Sequence, residues 1–353
     1  MDNIFELPPY SLDKIQKQKI LVDELRKLTN FHYQNCKEYT SILDAFGYKN
    51  KQYKKIEDFF ALPVLLFKEY QFKSTSNIVK TLTSSGTTSS KVSQIFLDKQ
   101  TALLQTKALI KIMQNFIGKT RLPMLIIDTK SIVSNRYKFS ARAAGILGLS
   151  NFGRKHTYIL DDDMKLDVNK LKEFLEMYKD EKILIFGFTF MVWEYFYKQL
   201  VDLNIDIDLS NAMLFHSGGW KKLENMKVSN EIFKESFYNL TKLKNIHNFY
   251  GMVEQVGSIF VECEYGHLHT PNFADIVIRD AVSMEVLPYG QKGVIELISL
   301  IPHSYPGHVI LSEDEGIILG EDDCKCGRCG KYFKVIGRLK QAEQRGCSDT
   351  FRT

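Results

Sequence analysis

A chain of 353 residues, 44% hydrophobic and 25% charged, has the composition of a soluble globular protein and a length that allows about two domains. Its 47 Lys and Arg against 42 Asp and Glu leave a net charge of +5, too small and too dispersed for a nucleic-acid footprint. No basic, apolar leader opens the sequence and no stretch reaches the roughly 18 apolar residues of a membrane span, so the expected location is cytoplasmic, where six cysteines argue against a disulfide framework.

The first hundred residues read as helical. Ser11 is placed to cap a helix whose Leu21, Leu25 and Leu28 share one face. A second periodic stretch runs from Phe31 to Gly47, a residue suited to a left-handed C-terminal stop. An apolar segment, 62–67, follows. From residue 80 short apolar runs alternate with amphipathic ones. Strands are expected at 123–128, 182–187 and 212–216, and helices at 138–149, 168–179, 190–203 and 222–243. That alternation predicts an α/β fold with a mostly parallel sheet flanked by helices. After residue 255 turn residues become frequent, and 274–279, 293–299, 308–312 and 331–336 read as a small antiparallel, barrel-like section. The segment 338–353 is polar, without periodicity, and reads as a tail.

The densest chemistry lies at 81–91. Eight hydroxyl side chains surround Gly86 and the run ends in Lys91. Small residues let backbone N–H groups converge on phosphate oxygens, hydroxyls add hydrogen bonds and Lys adds charge. The Walker spacing is absent. On composition alone the segment is equally a Ser/Thr linker. Its order, Ser84-Ser85-Gly86-Thr87-Thr88-Ser89, resembles the pyrophosphate-gripping loop of adenylate-forming enzymes, with Ser89 in place of the usual last Gly.

Further elements of that superfamily follow in the same order. Ser217-Gly218-Gly219 resembles the turn that lies flat against adenine; by itself it is as readily an ordinary strand–helix turn. Tyr250-Gly251-Met252-Val253-Glu254 resembles the Tyr-Gly-x-Thr-Glu element, with Val253 replacing Thr. The resemblance implies that Tyr250 stacks on adenine and that Glu254 holds the Mg²⁺ bridging the ATP phosphates, a role suited to a hard oxygen ligand. Asp314 falls in a segment resembling Thr-Gly-Asp and would accept the ribose hydroxyls. Arg338 resembles the hinge arginine, a ribose or phosphate contact. Five elements in order over about 250 residues are far harder to meet by chance than one.

Superfamily members usually continue for about a hundred residues past the hinge, whereas here 16 residues follow Gly337. That truncation, the tail Arg345-Gly346-Cys347-Ser348 and the runs His32-Tyr33-Gln34-Asn35 and Ser304-Tyr305-Pro306 resemble LuxE-type acyl-protein synthetases over nearly the whole chain. The resemblance implies an adenylate-forming large domain over 1–336 and a hinge and tail over 337–353. It also implies ATP-dependent activation of a fatty acid and transfer of the acyl group to Cys347 as a thioester. A partner reductase or carrier protein would then receive it. Lys340, Arg345 and Arg352 favour a thiolate, and the ten residues from Arg338 reach at most about 33–36 Å.

A second constellation is Cys324-Lys325-Cys326-Gly327-Arg328-Cys329, with Cys263 and His269 upstream. Clustered cysteines with a Cys/His pair suit a structural zinc site. Cys263, His269, Cys324 and Cys326 are the expected ligands, Cys329 a substitute or outer partner, and His267 an alternative to His269. The pattern resembles phenylacetate–CoA ligases and raises a second function, acyl transfer to coenzyme A or a carrier protein. A third is a non-catalytic zinc-stabilised binding protein, because the tail lacks the usual adenylation lysine. Phe188, Phe190, Met191 and Trp193 are either acyl-pocket or core residues.

Overall fold

The computed structural model describes residues 4–48, 51–84, 91–134, 141–220 and 227–339. In chain order the strands are β1 (Leu62–Pro63), β2 (Ile78–Thr83), β3 (Gln94–Asp98), β4 (Leu122–Thr129), β5 (Gly153–Leu160), β6 (Ile183–Phe188), β7 (Ala212–Ser217), β8 (Asn245–Tyr250), β9 (Phe260–Glu262), β10 (Leu268–His269), β11 (Ala274–Arg279), β12 (Lys292–Ser299), β13 (Val309–Glu321) and β14 (Lys331–Arg338). The chain divides into two compact units, one of Met1–Phe116 with Tyr250–Glu343 and one containing Ile117–Phe249. Among the described residues, no helix is long and apolar enough to cross a membrane.

In the first unit, α1 (Lys14–Asn35), α2 (Lys37–Ala45) and α3 (Lys99–Ile117) accompany the strands. Asp13, not Ser11, caps α1, its carboxylate accepting from Gln16 N at 2.9 Å. Ser11 is drawn elsewhere: its hydroxyl donates to Pro8 O, and its N–H and that of Leu12 donate to the Asn272 side chain. The two helices break at Cys36, which is extended, and Gly47 takes the left-handed conformation expected of it, with φ +72°. The helical reading fails beyond residue 60, where β1, β2 and β3 lie. β2 and β3 form an antiparallel hairpin, while β1 pairs in parallel with β13, Leu62 opposite Ile310. A local pattern cannot report a partner so far along the chain.

The remaining strands of this unit run in the order β11-β12-β13-β14-β10-β9 with antiparallel neighbours. β11 and β12 are buried almost throughout, whereas β14 alternates between buried and more exposed positions. Tyr39, Leu43, Leu62, Phe67, Ile95 and Ile310 share one buried cluster. Beneath α1 a charged knot is buried almost completely. Asp275 lies 3.7 Å from Lys17 Nζ and 3.3 Å from Lys331 Nζ, and both ammonium groups also donate to carbonyls, of Thr270 and Ile276. Buried ammonium groups survive only with such partners.

In the second unit β8-β7-β6-β4-β5 are all parallel. β4, β6 and β7 appear where the continuous apolar runs predict them, since a sheet covered on both faces needs no polar alternation. β5 was not expected. The helices are α4 (Ala141–Ser150), α5 (Val168–Met177) and α6 (Asn230–Thr241), and the stretch expected at 190–203 is helical from Thr189 to Asp202 with a π-turn at Val192–Tyr197. Phe188, Phe190, Met191 and Trp193 are all buried, and Trp193 stacks on Tyr197 and Phe233 at 4.5 and 5.5 Å between ring centroids.

Candidate functional site

Tyr250, Asp314 and Arg338 come together in the first unit. Asp314 and Arg338 are cross-strand partners on β13 and β14, a register that sets their side chains side by side. Tyr250 ends β8 and its hydroxyl donates to Asp314 Oδ2 at 2.6 Å, while Arg338 Nε lies 3.5 Å from Asp314 Oδ1. The Tyr250 ring is held by Phe260, stacked at 6.2 Å, and by the edge of Phe333 at 6.4 Å. Burial raises the Asp314 carboxyl above its ordinary value against the pull of Tyr250 and Arg338. Burial, then Asp314, raises the Tyr250 phenol well above 10, so it remains a donor.

Glu254 follows in a short 3-10 turn, Val253–Gln255, and is buried. Burial raises its carboxyl, and the charges of Lys68 and Arg338 draw it back. When ionised, its carboxylate offers the oxygen ligands that a hard cation takes. Gly251 leaves little room: a Cβ there would stand 3.1 Å from Ile259 and 3.3 Å from the Ser258 carbonyl.

Ser84 and Lys91 flank the hydroxyl-rich turn. Ser84 N–H donates to Ser93 O at 3.0 Å and Ser93 N–H donates to Ser84 Oγ at 2.9 Å, which closes the base of the β2–β3 hairpin. Lys91 Nζ reaches Glu69 Oε2 at 2.5 Å on the surface. Ser85, Gly86, Thr87 and Thr88 lie outside the described residues, as does Cys347.

In the second unit Ser217 is the last residue of β7, at the carboxyl edge of the parallel sheet where open α/β folds bind ligands. Its hydroxyl donates to Phe249 O at 2.8 Å, tying β7 to β8. Gly218 turns the chain with φ +86°, and a Cβ on it would meet the Phe188 ring at 3.2 Å; around Gly219 the space is open.

The cysteine–histidine constellation converges in the first unit. Cys263 directly follows β9 and His269 belongs to β10, joined by a tight turn in which Cys263 N–H donates to His267 O at 2.8 Å. Cys324 and Cys326 sit in the turn between β13 and β14, and β14 pairs with β10. One ligand atom from each of Cys263, His269, Cys324 and Cys326 lies within 4.8 Å of the other three. Cys263 and Cys324 sulfurs are 4.0 Å apart, and His269 Nε2 is 3.3 Å from Cys326 Sγ. Three thiols and one imidazole fit tetrahedral zinc, with Zn–S of about 2.3 Å and Zn–N of about 2.0 Å. Burial holds His269 neutral, its pKa lowered to about 3, which leaves a ring nitrogen able to ligate. Burial also raises the thiols, Cys324 to about 12, so thiolates gather here only if a cation neutralises them. Cys329 is not one of the four; its N–H is bonded to Tyr10 O at 3.1 Å. His267 Nδ1 stands 3.5 Å from Cys324 Sγ, beside the group.

Sequence reasoning missed Lys68, whose charge bears on Glu254, and the buried pair Asp128–Arg142, 3.1 Å apart at the carboxyl end of β4. No motif marks either. Continuous burial of β4 with one Asp inside an apolar run was the available signal for the pair.

A family model described as acyl-protein synthetase, LuxE, matches residues 1–353. Among solved structures, an open conformation of 2-hydroxyisobutyryl-CoA ligase with 2-HIB-AMP and CoA superposes with a TM-score of 0.72 at 15% identity, covering 94% of this chain and 77% of that one. The same ligase in the postadenylation state, with 2-HIB-AMP, gives 0.72 at 15% identity over 93% and 69% of the two chains. At that identity the likeness is one of fold. A search of curated proteins finds no match.

Proposed function

The chain belongs to the LuxE family of acyl-protein synthetases, and from that membership we propose a two-step acyl transfer ending on its own tail. It is an ATP-dependent acid–thiol ligase that activates a carboxylic acid through an acyl-AMP. In the proposed first step a fatty-acid carboxylate oxygen attacks the α-phosphorus of ATP and pyrophosphate leaves. In the second the Cys347 thiolate attacks the acyl carbonyl, the carbon–oxygen bond to AMP breaks, and the thioester is handed to a reductase or carrier protein in the cytoplasm. The observation that carries this reading is the hydrogen-bonded set Tyr250, Asp314 and Arg338, with Glu254 four residues beyond Tyr250. Asp314 would take the ribose and Tyr250 with Gly251 the adenine, while Ser217, Gly218 and Gly219 keep the adenine-facing role that the resemblance gives their turn. Ser84, Ser85, Gly86, Thr87, Thr88 and Lys91 would take the phosphates, and Arg338 the ribose or phosphate. Glu254 would hold Mg²⁺, which supplies charge neutralisation at the phosphates.

Acid-dependent exchange of labelled pyrophosphate into ATP, across acids of graded length, tests the first step. Labelled acid and ATP should leave label on the protein, and Cys347→Ser should abolish that label while exchange persists. Label retained by Cys347→Ser would move the nucleophile elsewhere. The cysteine–histidine group supports structural zinc at Cys263, His269, Cys324 and Cys326, one per chain by elemental analysis. It also favours a second reading, direct transfer to coenzyme A, which rapid CoA-dependent turnover by Cys347→Ala would establish.

A further inference from the structure

We propose that Tyr250 is a positioning residue for Asp314, its hydroxyl fixing the carboxylate in the attitude that receives both hydroxyls of a ribose and so making the site selective for ribonucleotides over deoxyribonucleotides. The inference rests on the adenylation reading above and assigns Tyr250 a task beyond presenting a ring.

The argument begins with a torsion. The terminal χ2 of an Asp is broad and nearly two-fold, so an untethered carboxylate turns freely about it. Asp314 is tethered at three points. Its N–H donates to Ser312 Oγ at 3.1 Å, which fixes its backbone just before the irregularity in the β13–β14 ladder at Glu315 and Gly316. Its Oδ2 accepts from Tyr250 at 2.6 Å, and its Oδ1 faces Arg338 Nε at 3.5 Å. One donor on each oxygen, from two different segments, defines the plane of the group.

An ionised carboxylate offers about four lone-pair sites. With one used on each oxygen, one remains on each, in the plane of the group. That arrangement matches two neighbouring hydroxyls of a cis-diol and mismatches a sugar with only one. The Tyr250 ring cannot turn its hydroxyl away, because Phe260 lies along its face and Phe333 meets it edge-on. A phenol donating to a carboxylate is charge-assisted, the strong class of hydrogen bond. The Asp314 side chain keeps 16% of its surface exposed, an edge that a sugar can meet.

The test compares wild type, Tyr250→Phe and Tyr250→Leu with ATP, 2′-deoxy-ATP and 3′-deoxy-ATP. It reads KM in pyrophosphate exchange and, independently of turnover, binding of AMP against 2′-deoxy-AMP by titration calorimetry. Wild type should prefer the ribonucleotide by about tenfold or more, the worth of a hydrogen bond to a charged group. Tyr250→Phe keeps the ring and should weaken ATP and AMP by about tenfold while changing the deoxy forms by less than about twofold, so that the preference collapses. Tyr250→Leu removes the ring as well and should weaken all the nucleotides further. Equal weakening of ribo and deoxy forms by Tyr250→Phe, or a full preference retained, overturns the proposal. A wild-type protein that neither exchanges nor binds any adenine nucleotide overturns the adenylation reading itself.

Discussion

His308 and His32 stack face to face in the first unit, ring centroids 4.9 Å apart and planes 27° from parallel. His308 Nε2 lies 3.0 Å from Thr29 Oγ1 and 3.4 Å from the Tyr39 hydroxyl, and His32 bridges Ser74 Oγ and Pro302 O at 2.7 and 3.1 Å. Burial pushes both below the ordinary histidine value, His308 to about 3, with the neighbouring His308 adding to the shift of His32. Both are therefore neutral when folded and titrate near 6.5 when unfolded. Between pH 6.5 and about 3 the unfolded chain binds more protons, so stability is complete above pH 6.5 and declines as pH falls. The expected loss is about 2 kcal/mol per histidine between pH 7 and 5. Urea midpoints at the two pH values check it, and His308→Gln should flatten the dependence; identical slopes in mutant and wild type would refute it. The same scale limits what a sequence discloses. Tyr250, Asp314 and Arg338 were legible because each sits in a recognisable motif. Their mutual bond was not, because residues 64 apart meet only through sheet register. Nor was the choice of Asp13 over Ser11 as cap, which depends on Asn272 occupying the backbone N–H groups of Ser11 and Leu12.

At the scale of elements, two turns carry the cysteine–histidine group: β9–β10 supplies Cys263 and His269, and β13–β14 supplies Cys324 and Cys326. They also hold the segment leading into α1. Cys329 N–H donates to Tyr10 O, Asn272 binds Pro8, Ser11 and Leu12, and Tyr10 meets His269 edge-on at 6.1 Å. Removing a bound metal should therefore loosen that segment as well as the turns. A cation present at a thousand times its dissociation constant contributes about 4 kcal/mol, so chelation should lower the melting temperature by about 5 °C. Hydrogen exchange should rise at 8–12 and around 263–269. A chelator that changes neither melting nor exchange would argue against any metal here. Of the elements themselves, β4, β6, β7 and β11–β14 were legible because burial on both faces, or strict alternation between turns, leaves its mark in order of residues. β1 was not, being two residues long and defined by β13. β2, with its partly exposed Ile78-Val79-Lys80-Thr81, was mistaken for helix because its apolar signal is weak on both periods.

For the molecule as a whole, the family assignment and the fold agree over nearly the full length, and the enzyme class follows from them. Each compact unit differs in how the chain builds it. Ile117–Phe249 is continuous, and its parallel strands β4 to β8 pair with one another. The other unit is made from Met1–Phe116 together with residues from Tyr250 onward. A fragment ending at Phe116 should consequently show no cooperative thermal transition by circular dichroism, whereas Ile117–Phe249 should show one. A sharp transition in the first fragment would contradict this division.

The parallel pairing of Leu62–Pro63 with Ile310–Leu311 has a bearing on biosynthesis. Because the early stretch emerges from the ribosome long before its strand partner is translated, Leu62, Phe67 and Phe72 wait without the residues that later cover them. At about 5–20 residues per second that interval lasts on the order of ten seconds or more. The nascent enzyme is thus a natural client for chaperones that shield apolar surface, and slower translation would prolong its dependence on them.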